Sequence, residues 1–255
     1  MSEGREAYLD WKDWGSEAFG QYDRFDANYF AAETGLARDS DVRVLEVGFG
    51  NGPFIGWSRA QGIDVYGIEL NPELVERCRA LLGPDKAFLD LHDPRLSNLE
   101  GTFTHVVAFD VIEHVAQPEL PHLLRRLGAL LKEDGRIILR FPNGDSPFGR
   151  IYQHGDPTHV TTIGRHKILY LAQESGLRVV EIRAPRLPLR GLPLRNALKR
   201  ALVTCGRYVV DRVIGVLYFG GQAIPLHPNY IAVMTRIADV HRAQGVRVSG
   251  GQADG

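Results

Sequence analysis

The chain has 255 residues, of which 44% are hydrophobic and 24% are charged, and its formal net charge is −1. This composition excludes a disordered or collagen-like chain, and the length suits one large domain or one domain with an appendage. No apolar run approaches the roughly 18 residues that cross a bilayer, and the amino terminus lacks a signal-like apolar stretch, so we expect a cytoplasmic protein. Cys78 and Cys205 are isolated, which argues against a disulfide framework or a zinc site.

The near-zero net charge conceals a basic strip late in the chain. Residues 183–212 contain eight basic residues and one acid, a net charge of +7, which leaves −8 for the rest of the chain. An acidic body with one basic strip indicates a local anionic partner, and the acidic remainder argues against binding to nucleic acid.

Short apolar runs alternate with amphipathic segments through the middle of the chain. This pattern predicts an α/β fold with a Rossmann-like, seven-stranded, mostly parallel sheet and helices on both faces. The predicted strands are residues 42–47, 64–68, 86–89, 105–109, 136–141, 177–183 and 230–235. The predicted crossover helices are residues 73–82, 120–131 and 165–175. We expect Gly135 and Gly176 to end the last two helices in the left-handed conformation.

Two segments depart from this alternation. Residues 8–30 hold eight of the 23 aromatic residues, and the spacing of Tyr22, Phe25 and Tyr29 predicts a helix that either packs on the sheet or covers a ligand. Residues 185–229 separate the last two strands by more chain than a hairpin needs. We therefore predict an N-terminal helical lid at 1–39, an α/β domain at 40–240 with a helical insertion at 185–229, and a disordered tail at 241–255.

A glycine-rich turn follows the first predicted strand. It reads Glu46-Val47-Gly48-Phe49-Gly50-Asn51-Gly52-Pro53. Such a turn at the carboxyl edge of an α/β sheet lets the backbone pass close to a ligand. Pro53 stands where a dinucleotide fingerprint has its third glycine, and no Gly-Lys-Ser/Thr follows, so neither NAD nor a Walker loop is favoured.

An acid at the end of the second predicted strand suggests what the turn binds. Glu69 lies 21 residues after Gly48, at the tip of the neighbouring strand. There its carboxylate can accept two hydrogen bonds from a ribose diol, so the spacing favours a nucleoside ligand. The alternative is a solvated acid or one that caps the next helix.

These elements together resemble the class I S-adenosylmethionine-dependent methyltransferases, particularly the ubiquinone-biosynthesis O-methyltransferase-like subgroup. The resemblance covers roughly residues 40–182 and rests on the glycine turn, on Glu69, on residues 88–91 and on residues 106–115. It implies S-adenosylmethionine as cofactor, with Glu46 on its ammonium and Glu69 on its ribose. The further cofactor-binding residues that it implies are Gly48, Gly50, Gly52, Leu70, Asp90, Leu91, Phe109 and Asp110. Among these, Asp90 and Leu91 would flank the adenine, and Phe109 and Asp110 would lie beneath the sulfonium.

Candidate catalytic residues follow the fifth predicted strand, in a loop expected to overhang the methyl group. An alcohol nucleophile needs a base, and histidine is the first candidate at neutral pH. We assign His159 as general base, with Asp156 or His154 orienting it or contacting the acceptor. The alternative is turn chemistry, in which residues 156–157 start a turn and Thr162 caps a helix.

Two further hypotheses concern neighbouring histidines. His114 is a second candidate base, or it caps the helix that begins near residue 118. The spacing of His154, Asp156 and His159 also suits a divalent metal, although we expect no metal in the site.

The insertion adds a predicted basic amphipathic helix at residues 194–216. It either covers the acceptor pocket with its arginines solvated, or it contacts an anionic surface, a phospholipid interface or a phosphate-bearing acceptor.

The sequence thus predicts an S-adenosylmethionine-dependent O-methyltransferase that acts on a hydroxyl of a sugar, a glycolipid or a small metabolite. One alternative is a carboxyl or N-methyltransferase of a natural product. Another is a non-catalytic nucleoside-binding module that its basic helix recruits to the inner face of a membrane. The acceptor and the oligomeric state are not readable from the residues.

Overall fold

A computed structural model describes residues 19–36, 41–188, 192–222 and 224–237. The strands are β1 (Arg43–Val47), β2 (Asp64–Ile68), β3 (Ala87–Phe88), β4 (Phe103–Phe109), β5 (Leu131–Pro142), β6 (Leu177–Arg183) and β7 (Asn229–Arg236). The α-helices are α1 (Arg24–Thr34), α2 (Pro53–Ala60), α3 (Pro72–Leu82), α4 (Leu120–Leu130), α5 (Arg150–Gly155), α6 (Arg165–Glu174) and α7 (Leu194–Tyr218). The predicted tail at 241–255 and the aromatic residues before residue 19 lie outside the described residues.

The seven strands form one sheet in the order β3-β2-β1-β4-β5-β7-β6. The pairs from β3 to β5 are parallel, and β7 runs antiparallel to both β5 and β6. The strand order reverses between β1 and β4, which opens a crevice at the carboxyl ends of these strands. The predicted Rossmann-like, mostly parallel sheet is confirmed.

Helices cover both faces of the sheet because successive side chains of a strand point to opposite sides. In β1, Val44 packs with α1 and α2, whereas Leu45 and Val47 join the larger core against α4 and α6. The apolar periodicity at Leu120, Leu124 and Leu127 is therefore the buried face of α4, as predicted.

Two predicted helix caps are wrong. The helix α4 ends at Leu130, and the chain enters β5 at once, so Gly135 lies inside the strand and not in a left-handed cap. Thr162 does not cap α6. The first backbone N–H of that helix, at Arg165, instead donates to Asp145 Oδ2 at 2.6 Å. Gly176 does adopt the predicted left-handed conformation, with φ at 71°.

The described part of the N-terminal segment contains both the packed helix and the cover that the aromatic spacing suggested. Tyr29 and Phe30 of α1 are buried against β1, β4 and α2. Phe25 is 41% exposed and lines a cavity at the sheet edge. The carboxylate of Glu33, 2.6 Å from Arg183 Nη1, ties α1 to the end of β6. The helix α1 thus forms one wall of that cavity.

The predicted insertion helix is present as α7, and unlike an ordinary core helix it is mostly exposed. Among its 25 residues only Gly215 is buried. Arg200 is half-buried beside α1, with its guanidinium 4.8 Å from the Phe25 ring centre. None of the described helices is both long and apolar enough to cross a membrane.

Candidate active site

A cavity of about 920 Å³ opens at the carboxyl ends of β1, β4 and β5, at the reversal of strand order. Its floor includes the glycine turn and the last residues of β4. Helix α1 forms one wall, and the loop after β5 forms the wall opposite the glycine turn. The chain segment before β7 closes it with His227 and Asn229. The cavity therefore brings together residues from both ends of the described chain.

The glycine turn has a backbone shape that side chains would obstruct. Gly48, Gly50 and Gly52 have φ of 68°, 53° and 74°, in the left-handed region. A Cβ on Gly48 would lie 2.6 Å from Val111 Cγ2, and one on Gly52 would lie 2.4 Å from Phe19 Cζ. Gly48 and Gly50 line the cavity, whereas Gly52 makes room for Phe19.

Glu46 places an unsatisfied carboxylate under the glycine turn. Its side chain is buried on the cavity wall, and its Oε2 atom has no hydrogen-bond partner. Burial, reinforced by the negative charge of Glu69, raises the pKa of Glu46 well above its usual range. A buried acid with one unpaired oxygen is costly in isolation and could accept a hydrogen bond from a cationic ligand group.

Glu69 is held against the glycine turn by two backbone N–H groups. Gly50 N–H donates to its Oε2 atom and Asn71 N–H to its Oε1 atom, each at 3.1 Å. These bonds aim the carboxylate along the edge of the sheet beside the cavity.

The remaining cofactor candidates extend along the ends of β2 and β3. Leu70 is 66% exposed. The Oδ1 atom of Asp90 accepts the His92 N–H at 2.6 Å, and Leu91 packs partly against the main core. None of these three lines the cavity.

At the end of β4, Asp110 is fixed by an arginine from the neighbouring strand. Arg140 Nε donates to Asp110 Oδ1 at 2.9 Å and to Oδ2 at 3.1 Å, and Arg140 Nη1 donates to the Tyr29 hydroxyl at 3.2 Å. Burial alone lowers the pKa of Arg140, but Asp110 and Tyr29 raise it overall. Asp110 has φ of 55°, the one positive value among the described residues other than glycine. Phe109 lines the cavity beside this cluster.

On the opposite wall, His159 lies between two carboxyl groups. Its Nε2 atom is 3.8 Å from Asp156 Oδ2 and 3.9 Å from Glu113 Oε1. Asp156 Oδ1 accepts hydrogen bonds from the Thr158 hydroxyl at 2.5 Å and from Thr158 N–H at 3.0 Å. Glu113 is buried with neither carboxyl oxygen hydrogen-bonded, and burial raises its pKa to about 8. Glu113 is therefore largely neutral at pH 7, and Asp156 is the hydrogen-bonded carboxylate beside the imidazole.

The other two candidate histidines lie differently. His114 stacks edge-on against His159 with ring centres 4.5 Å apart, and its Nδ1 atom is 2.9 Å from the Thr158 hydroxyl. It lines the cavity and does not cap a helix. His154 is exposed on α5 and does not line the cavity. Glu113, His114 and His159 offer ligand atoms within 4.8 Å of one another, a spacing that a divalent cation could bridge.

Two residues of the site, Arg140 and His227, were not singled out by sequence patterns. Glu113 stood next to His114 in the segment that carries the resemblance but was given no role, and Arg140 carried no local signal. His227 accepts the Asn229 N–H at 3.1 Å through Nδ1, and burial lowers its pKa.

Fold and site together define a methyltransferase of the Rossmann-like class. A family model described as a methyltransferase domain matches residues 17–182. The chain belongs to this methyltransferase family, and it is a methyl-transferring enzyme. The methyl donor that its sequence resemblance implies is S-adenosylmethionine. No curated protein matches the chain.

Solved structures share the fold at low sequence identity. A methyltransferase from Archaeoglobus fulgidus is 19% identical over 76% of this chain and 86% of its own, with a TM-score of 0.54. A 1,6-didemethyltoxoflavin N1-methyltransferase from Burkholderia thailandensis, holding S-adenosylhomocysteine, is 17% identical over 93% and 87%, with a TM-score of 0.53. A mitomycin 7-O-methyltransferase is 15% identical over 83% and 53%, with a TM-score of 0.53.

The residues present suit this cofactor. The unpartnered Glu46 oxygen offers an acceptor for an ammonium, and the glycine turn has no room for a Cβ at Gly48. Glu69 presents a fixed carboxylate beside the turn, at the place a ribose diol would need it.

Proposed function

We propose that this enzyme transfers a methyl group to a hydroxyl oxygen of a small acceptor, such as a sugar, a glycolipid or another metabolite. The observation that carries the proposal is that His159 lies on the cavity wall with Asp156 Oδ2 3.8 Å from its Nε2 atom. An imidazole can take a proton from an alcohol at neutral pH, and a nearby carboxylate stabilises the imidazolium that forms.

The residues on the cofactor side of the site contribute by positioning the cofactor. Glu46 and Glu69 would hold the two ends of the cofactor, and Gly48 and Gly50 would let the backbone approach it. S-adenosylmethionine supplies a methyl group on a positively charged sulfur. Phe109 and Asp110, at the end of β4, line the floor on which the reacting groups are aligned. Alignment of the reacting atoms at roughly 3 Å accounts for much of such a reaction's rate.

On the acceptor side, the imidazole of His159 takes the hydroxyl proton. The Asp156 carboxylate stabilises the imidazolium that forms, and Thr158 holds this carboxylate through two hydrogen bonds. Neutral Glu113 adds no second negative charge beside Asp156. The resemblance of residues 40–182 to the ubiquinone-biosynthesis O-methyltransferase-like subgroup also favours a hydroxyl acceptor.

The test uses radiolabelled S-adenosylmethionine and a panel of alcohols, carboxylic acids and amines. We expect label in alcohol products that resists mild alkali, because methyl ethers survive it and methyl esters do not. Transfer confined to amines or to alkali-labile esters would overturn the assignment of a hydroxyl acceptor.

The role of His159 is tested with H159A and, as matched control, H166A on the exposed start of α6. General-base catalysis contributes about 10²- to 10⁴-fold, so H159A should lose turnover on this scale. Its affinity for S-adenosylhomocysteine should stay within about twofold, because the base contacts the acceptor and not the cofactor. Unchanged turnover would remove His159 as the base. A loss of wild-type turnover on chelation, reversed by a divalent cation, would make it a metal ligand instead.

A further inference from the structure

Helix α7 leaves a broad apolar face on the surface. Its large apolar side chains on that face have exposed fractions between 51% and 85%. They are Leu194, Leu198, Leu202, Val209, Val213, Val216 and Leu217. The spacing of three and four residues places them on one stripe along a helix roughly 37 Å long. An exposed apolar surface of this extent marks an interaction site.

The opposite face of α7 is the one attached to the domain. Arg200 donates to the Pro188 carbonyl at 3.1 Å and lies over the Phe25 ring. Asp211 Oδ1 accepts the Leu226 N–H at 3.1 Å. These contacts set the rotation of the helix, so its apolar stripe points away from the domain within the part of the chain that the structure describes.

The charged residues on the outward face of α7 indicate what kind of partner it binds. Arg195, Lys199 and Arg212 are exposed among the outward apolar side chains. The one acid of the helix, Asp211, is turned inward by its bond to Leu226. Apolar side chains interspersed with cations and free of acids are typical of a helix that lies in the interface of an anionic membrane, where long basic side chains reach the headgroups.

A second cavity, of about 1090 Å³, lies between α7 and the domain. Its walls are mostly apolar, with Phe148 from the loop after β5, Val203 and Val210 from α7, and Leu226 from the segment before β7. It adjoins the catalytic cavity, because Ile151, Tyr152, Leu187 and His227 are among the residues that line both. An apolar space that begins beside a polar reaction cavity suits a molecule with a polar head and a hydrocarbon tail.

We propose that α7 docks on an anionic phospholipid surface and that the cavity beneath it takes the hydrocarbon tail of an amphipathic acceptor drawn from that surface. The tail assignment rests on the proposed function, because the acceptor hydroxyl must lie at His159. The acceptor class is then a hydroxylated headgroup on a hydrocarbon chain.

Docking is measured by co-sedimentation of the full chain with vesicles, without any methyl transfer. We expect binding to vesicles of phosphatidylglycerol and phosphatidylcholine, at least tenfold weaker binding to phosphatidylcholine alone, and loss of binding as salt rises. The double variant L202E/V209E should reduce binding at least tenfold. V180E is the matched control, since Val180 on β6 is 58% exposed, as is Val209.

The tail subsite is measured with octyl glucoside below its micelle concentration, with glucose as the matched control. Cys205 is exposed and lines this cavity, whereas Cys78 is buried and burial raises its pKa to about 12. A water-soluble maleimide should therefore react at Cys205, and octyl glucoside should slow that reaction at least threefold while glucose leaves it unchanged.

Each outcome decides the proposal. Absence of vesicle binding, or equal binding by L202E/V209E and V180E, overturns the docking, as does a lipid-free dimer that L202E/V209E abolishes, since a second copy would then cover the stripe. Equal labelling in octyl glucoside and glucose overturns the tail subsite. Vesicle binding and protection of Cys205, without alkali-stable methylation of any alcohol, would leave this inference standing and overturn the oxygen assignment alone.

Discussion

The guanidinium of Arg140 donates hydrogen bonds to both carboxylate oxygens of Asp110 at the end of the neighbouring strand, and it also donates one to the Tyr29 hydroxyl. Strand pairing makes this possible, because Arg140 lies opposite Phe109 and its carbonyl accepts the Asp110 N–H at 2.9 Å. One side chain thus connects β4, β5 and α1 at the cavity, and it also lies close enough to Glu46 to lower that residue's pKa.

Replacing Arg140 should therefore affect both stability and cofactor binding. We expect R140M to lower the free energy of unfolding by about 1 to 3 kcal/mol, a modest figure because Asp110 is partly exposed and water screens its charge. R140K should recover only part of the loss, because lysine lacks the planar fork. Y29F, which removes one bond, should lose less than R140M. Thermal unfolding with and without S-adenosylhomocysteine checks this, and a fully stable R140M would contradict it.

Binding of the cofactor should release a proton from Glu46. Its pKa is well above the usual range in the ligand-free chain, and a cationic ammonium beside it would lower that pKa on binding. Calorimetry with S-adenosylhomocysteine in buffers of different ionisation enthalpy should show up to about one proton released per ligand. E46Q should release less. Methylthioadenosine, which lacks the amino acid, should bind wild type and E46Q alike. Identical proton release by both proteins would remove Glu46 from the ammonium site.

Replacing Glu69 should weaken the nucleoside end of the site. We expect E69A to lose about 1 to 3 kcal/mol of binding free energy for S-adenosylhomocysteine, since two buried hydrogen bonds to the ribose would go. The loss should vanish for an analogue without the ribose hydroxyls. E73Q, which breaks only the exposed ion pair with Arg77, serves as control. Titration calorimetry measures the affinities of wild type, E69A and E73Q for both ligands. Tight binding of S-adenosylhomocysteine by E69A would refute the ribose assignment.

Glu113 should make stability depend on pH. Its folded pKa is about 8, well above that of an unfolded glutamate, so its stabilising contribution is full below about pH 4.5 and is lost as pH rises through 8. Between pH 5 and 9, wild type should lose on the order of 3 kcal/mol more unfolding free energy than E113Q, at about 1.4 kcal/mol per pKa unit. Urea unfolding across this range checks it, with the exposed E133Q as control. Parallel curves would show that Glu113 is not a neutral buried acid.

Gly56 should tolerate no side chain. A Cβ there would lie 1.8 Å from the Gly20 carbonyl oxygen, so G56A must displace the chain that leads into α1. Overpacking of this kind costs about 1 to 3 kcal/mol. G206A on α7 is the matched control, because a Cβ at Gly206 meets nothing within 4 Å and alanine favours a helix. Denaturant unfolding of both variants measures their free energies of unfolding. Equal stability of G56A and G206A would contradict the close contact between Gly56 and Gly20.

Much of the fold was predictable because its signals are local. All seven strands and the three crossover helices were predicted within a few residues, since apolar periodicity reports which face of an element is buried. The exception is β5, which begins at Leu131, five residues before the predicted strand. There the strand contains charged residues 132–134 and Gly135, which read locally as a helix end.

The candidate site was predictable only in part. The glycine turn and Glu69 could be identified because a tight turn and a strand-end acid are short-range features. The sequence assigned His159 as base but left open whether Asp156 or His154 is its partner. The turn of α5 leaves His154 in solvent, whereas the chain beyond it returns to the sheet, where Val160 and Thr161 N–H both donate to the Glu113 carbonyl, at 2.9 and 3.0 Å.

By itself, then, the sequence determined the order of the elements, the glycine turn and the methyltransferase resemblance, because each depends on residues close together in the chain. Only the tertiary structure decided that Glu113 lies beside His159, that Arg140 meets Asp110, and that the apolar stripe of α7 faces outward. These depend on strand register and on how separate segments pack, which bring together side chains tens of residues apart. A net charge of −1 does not say where the charges lie. The orientation of α7 in the structure shows that its cations lie among outward apolar side chains.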